Sequence, residues 1–147
     1  MRLPFSGDIC NVNRTVSDGA INFTLNEDLI GKTAIQVLDQ IIQYFNQKKI
    51  WIILDHHRCY AGDGADGSPI AENYGLNQWK NSWSFMVNRY SNLEFMLGAD
   101  LHNEPYRLEW ETWAAYAEDA ANEIHAITPH LLIFVEGVGR YGSSSYW

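Results

Sequence analysis

Residues 93–100 read LEFMLGAD, a short and almost wholly apolar run that ends in a carboxylate. Two other runs have the same form, KIWIILD at residues 49–55 and LLIFVE at residues 131–136. Short runs that are apolar on both faces are typical of strands buried in a parallel sheet. Because each run closes on an acidic residue, we expect these strands to end at a polar, solvent-facing site.

Amphipathic segments lie between these runs and predict three helices. Apolar residues recur in them at helical spacing, and packing in the core is their expected role. These residues are Ile35, Leu38, Ile42 and Phe45; Trp79, Trp83, Met86 and Tyr90; and Trp113, Ala117, Ala120, Ile124 and Ile127. A capping-box pattern from Thr33 to Gln36 predicts where the first helix begins, and Pro129 predicts where the third ends.

The lengths of the connections predict the architecture. With residues 1–5 as a first strand, strands and helices alternate along the chain, as in βα repeats with right-handed crossovers. The segments 6–32 and 56–75 that follow strands are long, whereas the turn at residues 47–49 that precedes a strand is tight. Long connections on one face and short ones on the other are typical of a (β/α)8 barrel with its active site on the long-loop face.

A complete barrel of this kind takes about 250 residues, and the chain has 147. The sequence supplies about four strands. It therefore predicts an α/β fold that is a partial TIM barrel, with residues 1–147 forming one partial catalytic domain that lacks both ends of the barrel.

Charge and hydropathy bear on the possible partners. The formal net charge is −8 and no cluster of Lys and Arg offsets it, so nucleic acid is not an expected partner. The sequence has no apolar run of 18 residues, so no membrane-spanning helix is expected. Residues 1–6 lack the long apolar region of a signal peptide.

The stretch DLHNEP at residues 100–105 follows a predicted strand and carries the candidate chemistry. Hydrolysis of a glycosidic bond needs two carboxyl groups that flank it, and the ends of different barrel strands place such groups across the barrel mouth. Glu104 has the position expected of one of them. Asn103 is suited to hydrogen-bond a sugar hydroxyl, and Pro105 restricts the backbone that carries the carboxylate.

Four strand-end motifs, in order, resemble glycoside hydrolase family 5, and most of all its bacterial-type endoglucanases. The motifs are MRLPFS at residues 1–6, IILDHHR at 52–58, GADLHNEP at 98–105 and LIFVEGV at 132–138. They are similar to the family's second, third, fourth and fifth barrel strands. The Asn-Glu-Pro triplet alone occurs in several related barrel families, whereas four motifs in this order and spacing are specific.

The resemblance implies a retaining endo-β-1,4-glucanase that acts on a cellulose-like β-glucan, is secreted and needs no cofactor or metal. It implies that Glu104 is the general acid/base and that Asn103 binds a sugar 2-hydroxyl. Arg2 would orient the nucleophilic carboxylate, and His57 would hydrogen-bond in the same subsite. The family's nucleophile follows the seventh strand, which this chain does not include. Trp147 is a possible sugar-stacking residue.

Several alternatives stay open on the sequence alone. Asp55-His56-His57-Arg58 also resembles the Asp-His-His motif of manganese-dependent phosphoesterases, but no Asp-x-Asp ligand pair precedes it. Cys10 and Cys59 follow neighbouring strands and are either a disulfide or two thiols. His56 should point away from His57 and be structural.

His102 is either a core residue or a support for the site, and Asp100 is expected to be a buried hydrogen-bonding partner. Glu136 ends a strand, but it falls in the motif of the fifth strand, where the family does not place its nucleophile. A function of a different class is also open, namely a catalytically inactive half-barrel that binds sugar weakly or pairs with another fragment.

Overall fold

A computed structural model of the protein describes residues 1–17, 19–62, 64 and 66–139. The described part contains one four-stranded parallel sheet in the order β1-β2-β3-β4, with a helix in each crossover. Its elements are β1 (Arg2–Ser6), α1 (Ala34–Gln47), β2 (Ile52–Arg58), α2 (Leu76–Tyr90), β3 (Met96–Asp100), α3 (Trp110–Ile127) and β4 (Leu132–Phe134). The predicted element order and the α/β class are confirmed.

The strand bounds differ from the predicted ones for local reasons. β2 begins only at Ile52 because Lys49 has φ 57° and the amide of Ile50 still bonds to the carbonyl of Phe45, so the end of α1 extends into the apolar run. At its other end β2 continues to Arg58, where it pairs with Ser6 of β1.

Strand β4 is limited by its neighbour. It pairs with β3 only from Leu132 to Phe134, opposite Gly98 to Asp100, and the ladder stops where β3 stops. Gly98 permits the close approach of the two strands, because a Cβ built there would lie 2.5 Å from the Leu132 carbonyl oxygen. Residues 135 and 136, predicted as part of the strand, lie beyond the ladder, and the side chain of Glu136 contacts the site.

The three helices cover the sheet with the predicted apolar stripes. Trp79, Trp83 and Trp113 are fully buried, and the indole N–H groups of Trp79 and Trp83 both donate to the Leu101 carbonyl at 3.2 Å. The first helix begins as the capping-box pattern predicts, with the amide of Thr33 donating to the Gln36 side chain at 2.9 Å. Of the predicted core residues, Ile127 is 37% exposed, at the end of α3.

Both cysteines are free thiols in this structure. Cys10 faces the carbonyl of Ser82 in α2, while Cys59 is buried and faces the carbonyl of Ser68. The alternative of two thiols is therefore the one that the structure contains. In the described part of the chain, no helix is both long enough and apolar enough to span a bilayer.

Candidate active site

Parallel pairing brings the polar strand ends to one edge of the sheet. Asp55 and Asp100 are partners in the β2–β3 register, and Asp100 is also the partner of Phe134 in β4. Arg2 lies lower in the sheet, opposite Ile53, and its long side chain extends up to this level. Charges from four strands therefore converge at the carboxyl-terminal edge, where the sequence predicted the site.

The Arg2 guanidinium is the hub of this cluster. Its Nε donates to Asp100 Oδ2 at 2.7 Å, and its Nη1 lies 2.9 Å from Asp55 Oδ2. Its Nη2 donates both to Asn103 Oδ1 at 2.9 Å and to Glu136 Oε1 at 2.8 Å. One planar group thus holds side chains of β2, of β3 and of the segments after β3 and β4 in a fixed arrangement, which a point charge such as an ammonium does not do.

His57, the predicted site residue on β2, is oriented by Asp55. Its Nδ1 donates to Asp55 Oδ2 at 2.7 Å, so the aspartate oxygen binds both His57 and Arg2. Asp55 is fully buried, and this burial raises the pKa of its carboxyl despite the opposing effects of His57 and Arg2. His57 therefore has a fixed ring orientation at the edge of the site.

Asp100 is the most perturbed carboxyl of the cluster. Burial is the main reason that the pKa of its carboxyl is raised; the charges of Glu136 and Asp55 also raise it, Arg2 lowers it, and the net value is about 6. Three carboxylates around one guanidinium leave an excess of negative charge, which adds to the effect of burial on this pKa. The expectation that Asp100 is a buried hydrogen-bonding partner is confirmed.

Asn103 and Glu104 lie in the turn that follows β3. The amide of Asn103 donates to the His56 carbonyl at 3.1 Å, and the amide of Glu104 donates to Glu136 Oε2 at 2.9 Å. Glu104 has φ 47°, in the left-handed region that side chains rarely adopt, and its side chain is exposed. The Glu104 carboxyl group is therefore accessible to a ligand, while its backbone amide is fixed by Glu136.

Behind the site, His56 and His102 form a buried pair. Their Nδ1 atoms are 3.0 Å apart, and His56 Nε2 lies 3.3 Å from the hydroxyl of Tyr74, which is 2.7 Å from Ser82 Oγ. Burial lowers the pKa of His56 and lowers that of His102 to about 4. His56 is thus a core residue, as predicted, and His102 belongs to the core as its partner.

The structure brings four of the predicted site residues into one network. Arg2 bonds directly to Asn103, and it reaches His57 through Asp55 and Glu104 through Glu136. Trp147, the fifth, lies outside the described residues. Within the described ranges, no three His, Cys, Asp or Glu side chains are grouped so as to hold a metal ion, so the phosphoesterase alternative has no support there.

Sequence reasoning missed the part that Glu136 has in this network. The available signal was its position two residues beyond Phe134, on the side of the strand that faces Asp100. What the sequence did not contain is the path of the segment after β4, which brings this side chain to the turn after β3.

Comparison with known proteins places this site in a family. The family model described as "Cellulase (glycosyl hydrolase family 5)" matches residues 1–146. The chain belongs to glycosyl hydrolase family 5. The resemblance to this family inferred from the four strand-end motifs is therefore confirmed.

Two curated relatives are endoglucanases of which the chain covers a minor part. It is 34% identical to an endoglucanase of Paenibacillus polymyxa, with all of this chain and 39% of that protein aligned. It is 33% identical to the major extracellular endoglucanase of Xanthomonas campestris pv. campestris, with 94% of this chain and 29% of that protein aligned.

Solved structures confirm the partial barrel. The catalytic domain of the X. campestris endoglucanase superposes with a TM-score of 0.84 at 33% identity, over 95% of this chain and 41% of that one. An endocellulase of Pyrococcus horikoshii in complex with cellotetraose superposes with a TM-score of 0.82 at 26% identity, over 92% of this chain and 40% of that one. The four strands of this chain thus correspond to part of a family 5 barrel.

Proposed function

We propose that the chain forms the acid/base half of the catalytic domain of a secreted, retaining endo-β-1,4-glucanase. The observation that supports this proposal most strongly is the network in which Arg2 bonds Asn103 while Glu136 joins Arg2 to the backbone of Glu104. It places an exposed carboxyl beside a fixed amide at the edge where a barrel has its active site.

Each residue has a role that its contacts suit. Glu104 protonates the leaving oxygen and later removes a proton from water, as a retaining mechanism requires of its acid/base. Asn103, whose Oδ1 is occupied by Arg2, presents its amide N–H groups to a sugar hydroxyl. His57, fixed through Nδ1 by Asp55, offers Nε2 to the same sugar. Arg2 favours the charged form of the nucleophilic carboxylate.

The relatives support the substrate and the location. The P. horikoshii endocellulase was solved with cellotetraose, and the X. campestris relative is described as extracellular. We infer a β-1,4-glucan chain as the substrate of this protein and secretion as its destination. Both Glu136 oxygens already have partners in the network, so we do not propose Glu136 as the nucleophile; the family resemblance implies a glutamate after the seventh strand for that role.

A catalytically inactive half-barrel is the second candidate. It is favoured by the exposure of apolar residues in β4 and directly after it, where Leu132 is 52% and Val135 46% exposed. An uncovered strand edge with apolar neighbours promotes association with another chain. In this case the 147 residues would bind a sugar chain weakly or pair with another fragment rather than hydrolyse it.

One experiment separates the two candidates. Release of reducing sugar from carboxymethylcellulose is measured with the purified chain and with a fusion in which the chain replaces the corresponding 41% of the X. campestris catalytic domain. We call this fusion the fused barrel. Activity of the fused barrel that is lost in Glu104→Gln supports the proposal, and an inactive but folded fused barrel contradicts it. Turnover by the chain alone excludes the inactive half-barrel and also contradicts the proposal that the nucleophile lies outside this chain.

A further inference from the structure

We propose that Glu136 is a positioning residue that fixes the backbone of Glu104 and, through Arg2, the side chain of Asn103. This inference rests on the proposed function, because it assigns to Glu136 a part in the reaction of Glu104. A glutamate directly after a strand could instead act as a nucleophile, but both carboxylate oxygens of Glu136 accept hydrogen bonds from other residues of the protein.

The two carboxylate oxygens of Glu136 have different partners. Oε2 accepts from the Glu104 amide at 2.9 Å, whereas Oε1 accepts from Arg2 Nη2 at 2.8 Å. The same Nη2 atom also donates to Asn103 Oδ1. The carboxylate therefore bridges the backbone of one candidate site residue to the guanidinium that orients the next. Hydrogen bonds to a charged acceptor are stronger than those between neutral groups, so a carboxylate restrains both partners more firmly than a neutral side chain would.

The backbone at Glu104 needs such support. Its φ of 47° lies in the left-handed region, which is unfavourable for every residue except glycine. Uncommon backbone conformations persist at active sites only when the surroundings determine them. The amide of the preceding residue is held by the His56 carbonyl, so the bond to Glu136 is the next restraint along the turn.

Glu136 is itself held in place on both sides. Its carbonyl accepts from the indole N–H of Trp113 at 2.9 Å, and Trp113 is fully buried in α3. Three residues on, the amide of Gly139 donates to the Pro105 carbonyl at 2.6 Å. The segment after β4 and the turn after β3 are thus joined at two places, and a carboxylate anchored in this way can position its partner.

The charge of Glu136 also acts on the cluster. The charged or titratable groups that face this edge are Arg2 from β1, Asp55 and His57 from β2, Asp100 from β3, Glu104 from the turn after β3, and Glu136 itself after β4. Glu136 raises the pKa of Asp100 while Arg2 lowers it. Removing the negative charge of Glu136 should therefore lower the pKa of Asp100.

Two substitutions separate the two contacts. Glu136→Gln keeps an oxygen that accepts from the Glu104 amide but loses the charge that faces Arg2. Glu136→Ala loses both. Glu118→Gln, on the exposed side of α3, removes the same charge away from the site and is the matched control.

The test is an NMR measurement on the isotope-labelled 147-residue chain, with folding checked by circular dichroism. Hydrogen exchange of the Glu104 amide and titration of the Asp100 carboxyl carbon are followed. We expect exchange at least tenfold faster in Glu136→Ala and within threefold of the parent in Glu136→Gln. The Asp100 midpoint should fall from about 6 in both variants and stay unchanged in Glu118→Gln.

An unchanged Glu104 exchange rate in folded Glu136→Ala overturns the proposal. If that variant does not fold, Glu136→Asp decides, because its shorter side chain withdraws the carboxylate from the Glu104 amide, and an unchanged Glu104 exchange rate in it overturns the proposal. In the fused barrel, Glu136→Ala should lower kcat on carboxymethylcellulose at least tenfold with little change in KM, and an equal loss in Glu118→Gln contradicts the assignment. A fused barrel without activity refutes the proposed function alone, because the NMR readouts do not depend on turnover.

Discussion

The guanidinium of Arg2 and the carboxylate of Asp100 bond at 2.7 Å although β2 lies between their strands. The contact is possible because Asp100 stands at the end of β3 and Arg2 near the start of β1, from where a long side chain reaches across the intervening strand. On its way the guanidinium also meets Asp55 at 2.9 Å. Through these contacts Arg2 joins β1 to β2 and β3, and through Asn103 it also contacts the turn that carries Glu104.

Replacing Arg2 with Lys should destabilise the chain. An ammonium cannot bond at the same time to the four acceptors that Arg2 reaches, so buried carboxylates lose their partner. We expect a loss of about 2 kcal/mol in the free energy of unfolding, measured with urea, since Arg2 is partly exposed. Arg89→Lys is the control. It breaks a surface pair with Asp39 and should cost less than about 1 kcal/mol. Equal losses of unfolding free energy in Arg2→Lys and Arg89→Lys would contradict the central role of Arg2 in the cluster.

Acid should destabilise the chain through His102. Its pKa is about 4 when folded, below the ordinary value of 6.5, so the unfolded chain binds more protons between these limits. The stabilisation is therefore complete above pH 6.5 and is lost as the pH falls toward 4. The loss by pH 4.5 is about 2 to 3 kcal/mol.

The raised pKa of Asp100 acts in the opposite direction over part of this range, because the folded chain then binds the additional proton. The unfolding free energy must therefore be compared with that of His102→Gln at pH 7 and pH 4.5. The parent should lose more stability than the variant on acidification. The same loss in both proteins would refute the buried, neutral state of His102.

Gly98 should not tolerate a side chain. A Cβ at this position meets the Leu132 carbonyl oxygen at 2.5 Å and the Phe134 ring at 2.6 Å, so β4 must move away from β3. Gly98→Ala should cost about 1 to 3 kcal/mol in the free energy of unfolding. Gly75→Ala is its matched control, because nothing lies within 4 Å of a Cβ there. Similar stabilities of the two variants would show that β4 does not pack as described.

The thiols should be slow to react. Burial raises the pKa of Cys10 to about 11 and that of Cys59 to about 12, which reduces the reactive thiolate at pH 8. Labelling of Cys10 with a disulfide reagent should be about 100-fold slower in the folded chain than in urea. Cys10→Ser and Cys59→Ser assign the two phases. A chain that releases no thiol in urea without reductant would contain a disulfide and contradict this structure.

The sequence predicted the elements well because each carries its own signal. Short apolar runs ending in Asp gave β2 and β3, and the tryptophan stripes of α2 and α3 gave the helices that cover them. Register then made one juxtaposition foreseeable, since Asp55 and Asp100 lie at the same level of neighbouring strands. The family motifs indicated Arg2 and Glu104 by position, without the contacts that connect them.

The remaining features depend on geometry that no local pattern encodes. The bond between Glu136 and the Glu104 amide requires the segment after β4 to meet the turn after β3, and the two residues are 32 positions apart in sequence. The pairing of His56 with His102 depends on which faces of β2 and of the turn after β3 meet behind the site. In both cases the sequence indicated the residues as candidates, but it did not indicate which of them contact each other.

The role of Glu104 as the acid is tested most directly by leaving-group dependence in the fused barrel. kcat/KM is measured for the parent and for Glu104→Gln on two cellobiosides, one with an unactivated alcohol and one with an activated aryl leaving group. An acid is needed only where the leaving oxygen must be protonated. We predict that Glu104→Gln loses at least 100-fold more activity on the unactivated substrate than on the activated one. An equal loss on both substrates would contradict the acid/base assignment.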